Sequence, residues 1–192
     1  MTKLIIYACP VGGLAKQIEV YLSRAEKLYG PNAAHAYMPH CTLTGFFEDE
    51  QSAIPNYTQT LSSSLDECRD RIPTPPVQIK QLRFQSNWHG LEIEADWLKQ
   101  LIADFAQKSS SPTCHEALRL KDWLHLSLAY EFEAGLASGL KQLANDLIDI
   151  ASEVSWELKF YERLSAKKSV SSQASSWKCH GRWALSGREL PK

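Results

Sequence analysis

The chain has 192 residues, 44% of them hydrophobic and 22% charged, with 21 basic against 22 acidic side chains and a formal net charge of −1. That is ordinary for a globular protein with a substantial core, and the length suits one large domain or two closely joined small lobes. A long nucleic-acid groove would show as a basic excess, so the balance points to a small or terminal ligand.

Read in chain order, "KLIIYAC" is a β-rich run stopped by Pro10 and the Gly12-Gly13 pair. Leu14, Ile18, Leu22, Ala25 and Leu28 then recur at helical spacing, which predicts a helix over residues 14–29, ended by Gly30-Pro31. A second strand is expected over residues 40–47, and a weaker helix over 52–68. The proline-rich stretch "RIPTPPVQ" reads as a connector at the midpoint of the molecule.

Residues 77–84 and 91–95 are strand-like and joined by "QSNWHG", a hairpin connection. Leu98, Leu101, Ile102 and Phe105 mark a helix that ends in "KSSSPT". Residues 123–130 are the next strand, followed by a helix with Leu136, Leu140, Leu143, Leu147 and Ile150 on one face. Two strands, near 154–163 and 178–185, flank the polar linker "SAKKSVSSQASS". Interleaved strands and helices with hairpins give an α+β class: two sheet-and-helix lobes within a single domain spanning 1–192.

Five cysteines (Cys9, Cys41, Cys68, Cys114, Cys179) stand at scattered spacings with no C-x-x-C pair, neither a zinc framework nor an even disulfide set. The N-terminal apolar run is too short for a secretory segment, and no run approaches the length of a membrane span. The expectation is a reduced, cytoplasmic chain, off the membrane and monomeric.

Chemistry concentrates in two strands. "YMPHCTLTGFF" carries His40 and Thr42, and "WLHLSLAYEF" carries His125 and Ser127. On a strand, residues two apart share a face about 7 Å from each other. His40 and Thr42 therefore face one way and Cys41 and Leu43 the other. Trp123, His125 and Ser127 likewise oppose Leu124, Leu126 and Leu128. The leucine row belongs in the core, while an imidazole beside a hydroxyl needs water or a ligand. Two such strands facing each other would clamp a phosphate. Histidine can take a proton from a nucleophile or give one to a leaving oxygen near neutral pH. The hydroxyls would hold the non-bridging oxygens. This scheme requires no metal and no other cofactor. A single H-x-T is a weak signal and a lone strand histidine is usually structural, but two copies inside apolar strands are hard to assign to chance.

These motifs, "PHCTLTGFF" and "LHLSLAY", resemble the paired H-x-T/S motifs of the 2H phosphoesterase superfamily, which includes bacterial RNA 2′,5′-ligase-like proteins and cyclic phosphodiesterases. Chain length, motif order and motif spacing match over essentially the whole chain. The longer run "GPNAAHAYMPHCTLTGFF" also resembles the phosphoesterase module of ubiquitin-associated, SH3-containing phosphatase proteins. The resemblance implies a bilobal α+β fold, two antiparallel lobes related by a pseudo-two-fold axis, with the site in a central cleft. It implies metal-independent hydrolysis of a nucleoside 2′,3′-cyclic phosphate, free or at an RNA end, with a 2′-phosphate as the expected product. His40 and His125 become the acid/base pair and Thr42 and Ser127 the phosphate-binding hydroxyls. Neither histidine is assigned the acid or the base by sequence.

Tyr7, Trp123 and Tyr130 are candidates to stack on a base, although buried aromatics are commoner than stacking platforms. His35, His89, His115 and His180 lack a hydroxyl two residues on and read as surface or structural. Lys167-Lys168 could close over an anion, but reads first as a solvated loop tip. Cys41 reads as a small core residue and Gly12-Gly13 as a turn. Two other functions compete: a non-catalytic module that binds a nucleotide or RNA end, and a metal-dependent hydrolase. No Asp or Glu stands at ligand spacing beside either motif to support the second.

Overall fold

The computed structural model describes residues 1–72, 74–114, 116–164 and 177–185. Its N-terminal strand β1 (Thr2–Gly12) is buried along most of its length, so it reads as a continuous apolar run rather than an alternating one. Leu4, Ile6 and Ala8 enter one apolar cluster, Ile5, Tyr7 and Cys9 another on the opposite face.

Helix α1 (Gly13–Tyr29) follows and ends at Gly30, whose amide donates to the Glu26 carbonyl at 2.9 Å. The first motif lies at β2 (Cys41–Thr42), and β3 (Phe47–Asp49) and α2 (Ile54–Arg71) come next. The hairpin of β4 (Gln78–Phe84) and β5 (Trp88–Glu94) leads to α3 (Asp96–Lys108). The second motif strand is β6 (His125–Tyr130), followed by α4 (Ala137–Leu147), β7 (Val154–Arg163) and β8 (Trp177–Ala184).

The strands form one sheet in the order β4-β5-β6-β2-β1-β7-β8, with β3 also paired to β1. Every pairing is antiparallel. The buried apolar residues of α1, α2, α3 and α4 join the cluster that holds Leu4, Ile6 and Ala8. The helices therefore cover one face of the sheet and leave the other to the second, smaller cluster and to the motif side chains.

The α+β class and the antiparallel hairpins are as the sequence predicts. The proline-rich connector is not a midpoint in space, because β7 and β8 return to lie beside β1 and join the side that holds β2. The linker over 165–176, with Lys167 and Lys168, lies outside the described residues. Among the described residues no helix is long and apolar enough to cross a membrane.

The strand expected over 40–47 is split. Tyr7 pairs with Thr42 and Leu4 with Phe47, so this segment uses five steps where β1 uses three. The cause is local: Thr44 turns its hydroxyl inward to accept the Ile6 amide at 3.1 Å, replacing a ladder bond.

At the far end of β3, Asp49 is fully buried and accepts hydrogen bonds from the Tyr57 hydroxyl at 2.8 Å, the Glu50 amide at 2.7 Å and the Thr113 hydroxyl. Burial pushes its carboxyl up, but the bonds from Thr113, Ser111, Tyr57 and Glu50 outweigh it and hold the group below the usual carboxylate range. Its stabilising effect is present above the unfolded pKa and is lost as pH falls through the folded one. Asp49→Ala leaves the Tyr57 hydroxyl buried without its partner, which costs about 1–3 kcal/mol and lowers Tm by roughly 3–10 °C. A calorimetric Tm within a degree of wild type would contradict this.

Candidate active site

The two motif strands are neighbours. Cys41 pairs with Leu126, and both side chains are fully buried against the helices. One step along this antiparallel register in either direction, His40 comes opposite Ser127 and Thr42 opposite His125. Each imidazole thus faces the other motif's hydroxyl, with Cβ atoms about 5 Å apart across the seam. All four side chains line one cavity of about 350 Å³, together with Tyr7, Tyr37, Phe46, Trp88, Arg119, Lys121 and Tyr130 among others. Among the described residues, the cavity's lining includes two cations and no carboxylate.

The same device orients both rings. His40 Nδ1 lies 2.7 Å from the Met38 carbonyl, and His125 Nδ1 lies 3.2 Å from the Trp123 carbonyl, each two residues upstream. A carbonyl only accepts, so Nδ1 carries the proton and Nε2 of the neutral ring keeps its lone pair for the cavity. Burial pushes His40 down to about 4; the Met38 carbonyl works against this and the charge of His125 adds to it. His125 is also lowered, by burial first, with the Trp123 carbonyl opposing and Lys121 adding to the shift. Both rings are therefore neutral at pH 7 in the free protein.

Aromatic rings brace each imidazole. Tyr7 and Tyr37 stand 4.0 and 5.4 Å from His40, centroid to centroid. Trp123 stacks on His125 at 4.1 Å, and Trp88 meets the same ring edge-on at 5.3 Å. The Trp88 indole N–H donates to Ser127 Oγ at 2.8 Å, which leaves the Ser127 hydroxyl proton for a ligand.

The stacking candidates fare differently. Tyr7 lines the cavity but is 1% exposed and packed against His40, Tyr161 and Trp177, so no ring face is open to a base. Trp123 lies outside the cavity lining, with its ring laid on His125. Tyr130 lines the cavity and is half-buried.

The remaining histidines are structural where described. His35 ties Asn32 to the Leu22 carbonyl, His89 packs between Phe84 and Phe132, and His180 pairs with Glu162 at 2.9 Å. His115 lies outside the described residues. Among the described residues no three His, Cys, Asp or Glu side chains gather as a metal site would require.

Sequence reasoning missed Tyr37, Trp88, Arg119 and Lys121. Trp88 was hidden in a stretch read as a connector. The alternation of Arg119 and Lys121 just ahead of the second motif was a usable signal, because side chains two apart share a side of an extended segment.

No protein-family model matches the chain. It is similar to ubiquitin-associated and SH3 domain-containing protein B of Mus musculus, 31% identical over 164 residues, covering 83% of this chain and 25% of that protein. The Homo sapiens protein of the same name is also 31% identical over 164 residues, with 24% of its length covered. Ecdysteroid-phosphate phosphatase of Bombyx mori is 29% identical over 164 residues, 83% of this chain and 24% of its own. The chain spans about a quarter of the length of the curated relatives it matches. The resemblance drawn from the run around His40 thus extends over most of the chain.

Proposed function

We propose that this chain is a 2H-type phosphodiesterase module that opens 2′,3′-cyclic phosphates of nucleotides or RNA ends to 2′-phosphates, using two histidines and no metal. One observation carries the proposal: His40, Thr42, His125 and Ser127, far apart in sequence, line one cavity from adjacent antiparallel strands. The relatives' names add support for phosphoester chemistry, since the Bombyx mori protein is called a phosphatase of ecdysteroid phosphate. That name belongs to a whole protein of which this chain covers 24%, so the substrate here is drawn from the chemistry of the site.

In the proposed step one imidazole removes a proton from water as its oxygen bonds to phosphorus. The bond from phosphorus to the 3′ oxygen breaks, and the second imidazole protonates that oxygen. Thr42 and Ser127 donate to the non-bridging oxygens, where charge accumulates. His40, held at about 4, stays neutral through the working range and is the base. His125 is the acid; an anionic phosphate beside it raises its proton affinity and offsets the burial that lowers it.

The pH dependence follows in sign. In kcat/KM, which reports the free enzyme, activity rises as His40 loses its proton near pH 4 and falls as His125 loses its own below 6.5. The optimum is therefore on the acid side of neutrality; a plateau extending above pH 8 would contradict the assignment.

A second reading, a module that binds the phosphate without cleaving it, is favoured by both rings being neutral in the free protein. Incubating the chain with the four nucleoside 2′,3′-cyclic monophosphates and a chelator decides between them. Formation of 2′-phosphates, resolved by chromatography, is the expected result. Loss of turnover on chelation would overturn the metal-free scheme, and binding without turnover would establish the second reading.

A further inference from the structure

We infer that the preferred substrate carries one more phosphate, on the 5′ side of the cyclic one, and that Arg119 and Lys121 hold it. This rests on the function proposed above and narrows its substrate class.

Both cations are fixed by backbone at an extension of the motif seam. The Gly45 amide donates to the Arg119 carbonyl at 2.6 Å, the Lys121 amide donates to the Leu43 carbonyl at 3.2 Å, and Thr44 bridges to Leu120 between them. The Arg119 side chain lies across Gly45, where an added Cβ would come within 3.0 Å of Nε. Its Nη2 donates to the Phe46 carbonyl at 3.4 Å. Arg119 and Phe46 also line a neighbouring cavity of about 370 Å³, so both residues border the two cavities.

Charge matching supplies the argument. Neither Arg119 nor Lys121 forms an ion pair with a carboxylate among the described residues. A cyclic phosphate diester brings one negative charge, against the two cations of the cavity lining. Both side chains are exposed at the cavity lining, so one anion engages at most one of them closely and leaves the other cation for a second. A second phosphate takes that cation, and a guanidinium can grip it through two N–H donors. Lys3 and Arg163 add positive charge on the same side, 4.7 and 5.8 Å from the Phe46 ring centroid. Glu48 and Glu116 line the second cavity together with Lys3 and weaken its pull on a polyanion continuing past Arg119. The site thus fits one additional phosphate rather than a long strand, in keeping with the net charge of −1.

The test measures kcat/KM for adenosine 2′,3′-cyclic phosphate, its 5′-phosphorylated form, and a dinucleotide ending in a 2′,3′-cyclic phosphate. Calorimetry compares adenosine 2′-phosphate with adenosine 2′,5′-bisphosphate in wild type, Arg119→Gln and Lys121→Gln. The bisphosphate is expected to bind about tenfold tighter or more in wild type. In Arg119→Gln that ratio is expected to fall towards one, and in wild type it shrinks as salt rises. A kinetic preference for either second-phosphate substrate supports the inference and names its source. Equal binding of the two nucleotides in wild type, or an undiminished preference in Arg119→Gln, overturns it. A bisphosphate preference without turnover keeps the second-phosphate site and removes the phosphodiesterase function. Turnover without any preference does the reverse.

Discussion

Replacing either His40 or His125 with alanine lowers kcat/KM for nucleoside 2′,3′-cyclic phosphates by about 10²–10⁴-fold, the usual contribution of a positioned acid or base. The double variant is expected to be scarcely slower than the worse single one, because the two rings act on one proton-transfer sequence and their losses do not add. Both rings are half-buried at the cavity, and the core beneath them is made by Cys41 and Leu126. Both variants should therefore unfold within a few degrees of wild type, which a thermal melt run alongside the kinetics checks. A single variant that keeps activity within about threefold of wild type would remove that histidine from the chemistry.

Gly90→Ala is expected to damage the site from behind. Gly90 stands beside Ser127 in the pairing of β5 with β6. A Cβ there would meet the Leu126 carbonyl oxygen at 2.3 Å and Trp88 Cζ2 at 2.4 Å. The indole lies over the strand at this one position without a side chain, and from there its N–H reaches Ser127 and its edge meets His125. With alanine, either the indole swings away or the two strands separate. Overpacking of this kind costs about 1–3 kcal/mol. Shifting Ser127 and His125 by an ångström lowers kcat/KM by about 10²-fold. Trp88→Phe, which keeps an aromatic ring but loses the N–H, should cost less in both readouts. Wild-type activity and Tm in Gly90→Ala would contradict this account of how Ser127 is oriented.

The parts of the fold that are legible in the sequence are those that local periodicity controls. The i, i+2 placement of His40 with Thr42 and of His125 with Ser127, opposite Cys41, Leu43, Leu124 and Leu126, follows from strand geometry alone. The helix over 14–29 and its stop at Gly30-Pro31 follow from 3.6-residue spacing and backbone chemistry. What stayed hidden depends on pairing across the chain. Nothing local says that Cys41 meets Leu126 or that β7 and β8 return to the side of β1. Nothing local says that the Thr44 hydroxyl takes the Ile6 amide and splits a strand. Trp88 looked like part of a connector because its role depends on Gly90, two residues on, and on Ser127 across the sheet. Tyr7 and Trp123 looked free to stack on a base because a sequence does not show that each ring lies against a histidine.

The most direct test is to follow the imidazole nitrogens of His40 and His125 by nuclear magnetic resonance through a pH titration, before and after adding adenosine 2′-phosphate. The geometry predicts that both neutral rings carry the proton on Nδ1, that both titrate below 6.5 in the free protein, and that both pKa values rise when the phosphate enters between them. Neutral rings protonated on Nε2, or a saturating nucleotide that shifts neither titration, would contradict a phosphate held between the two histidines.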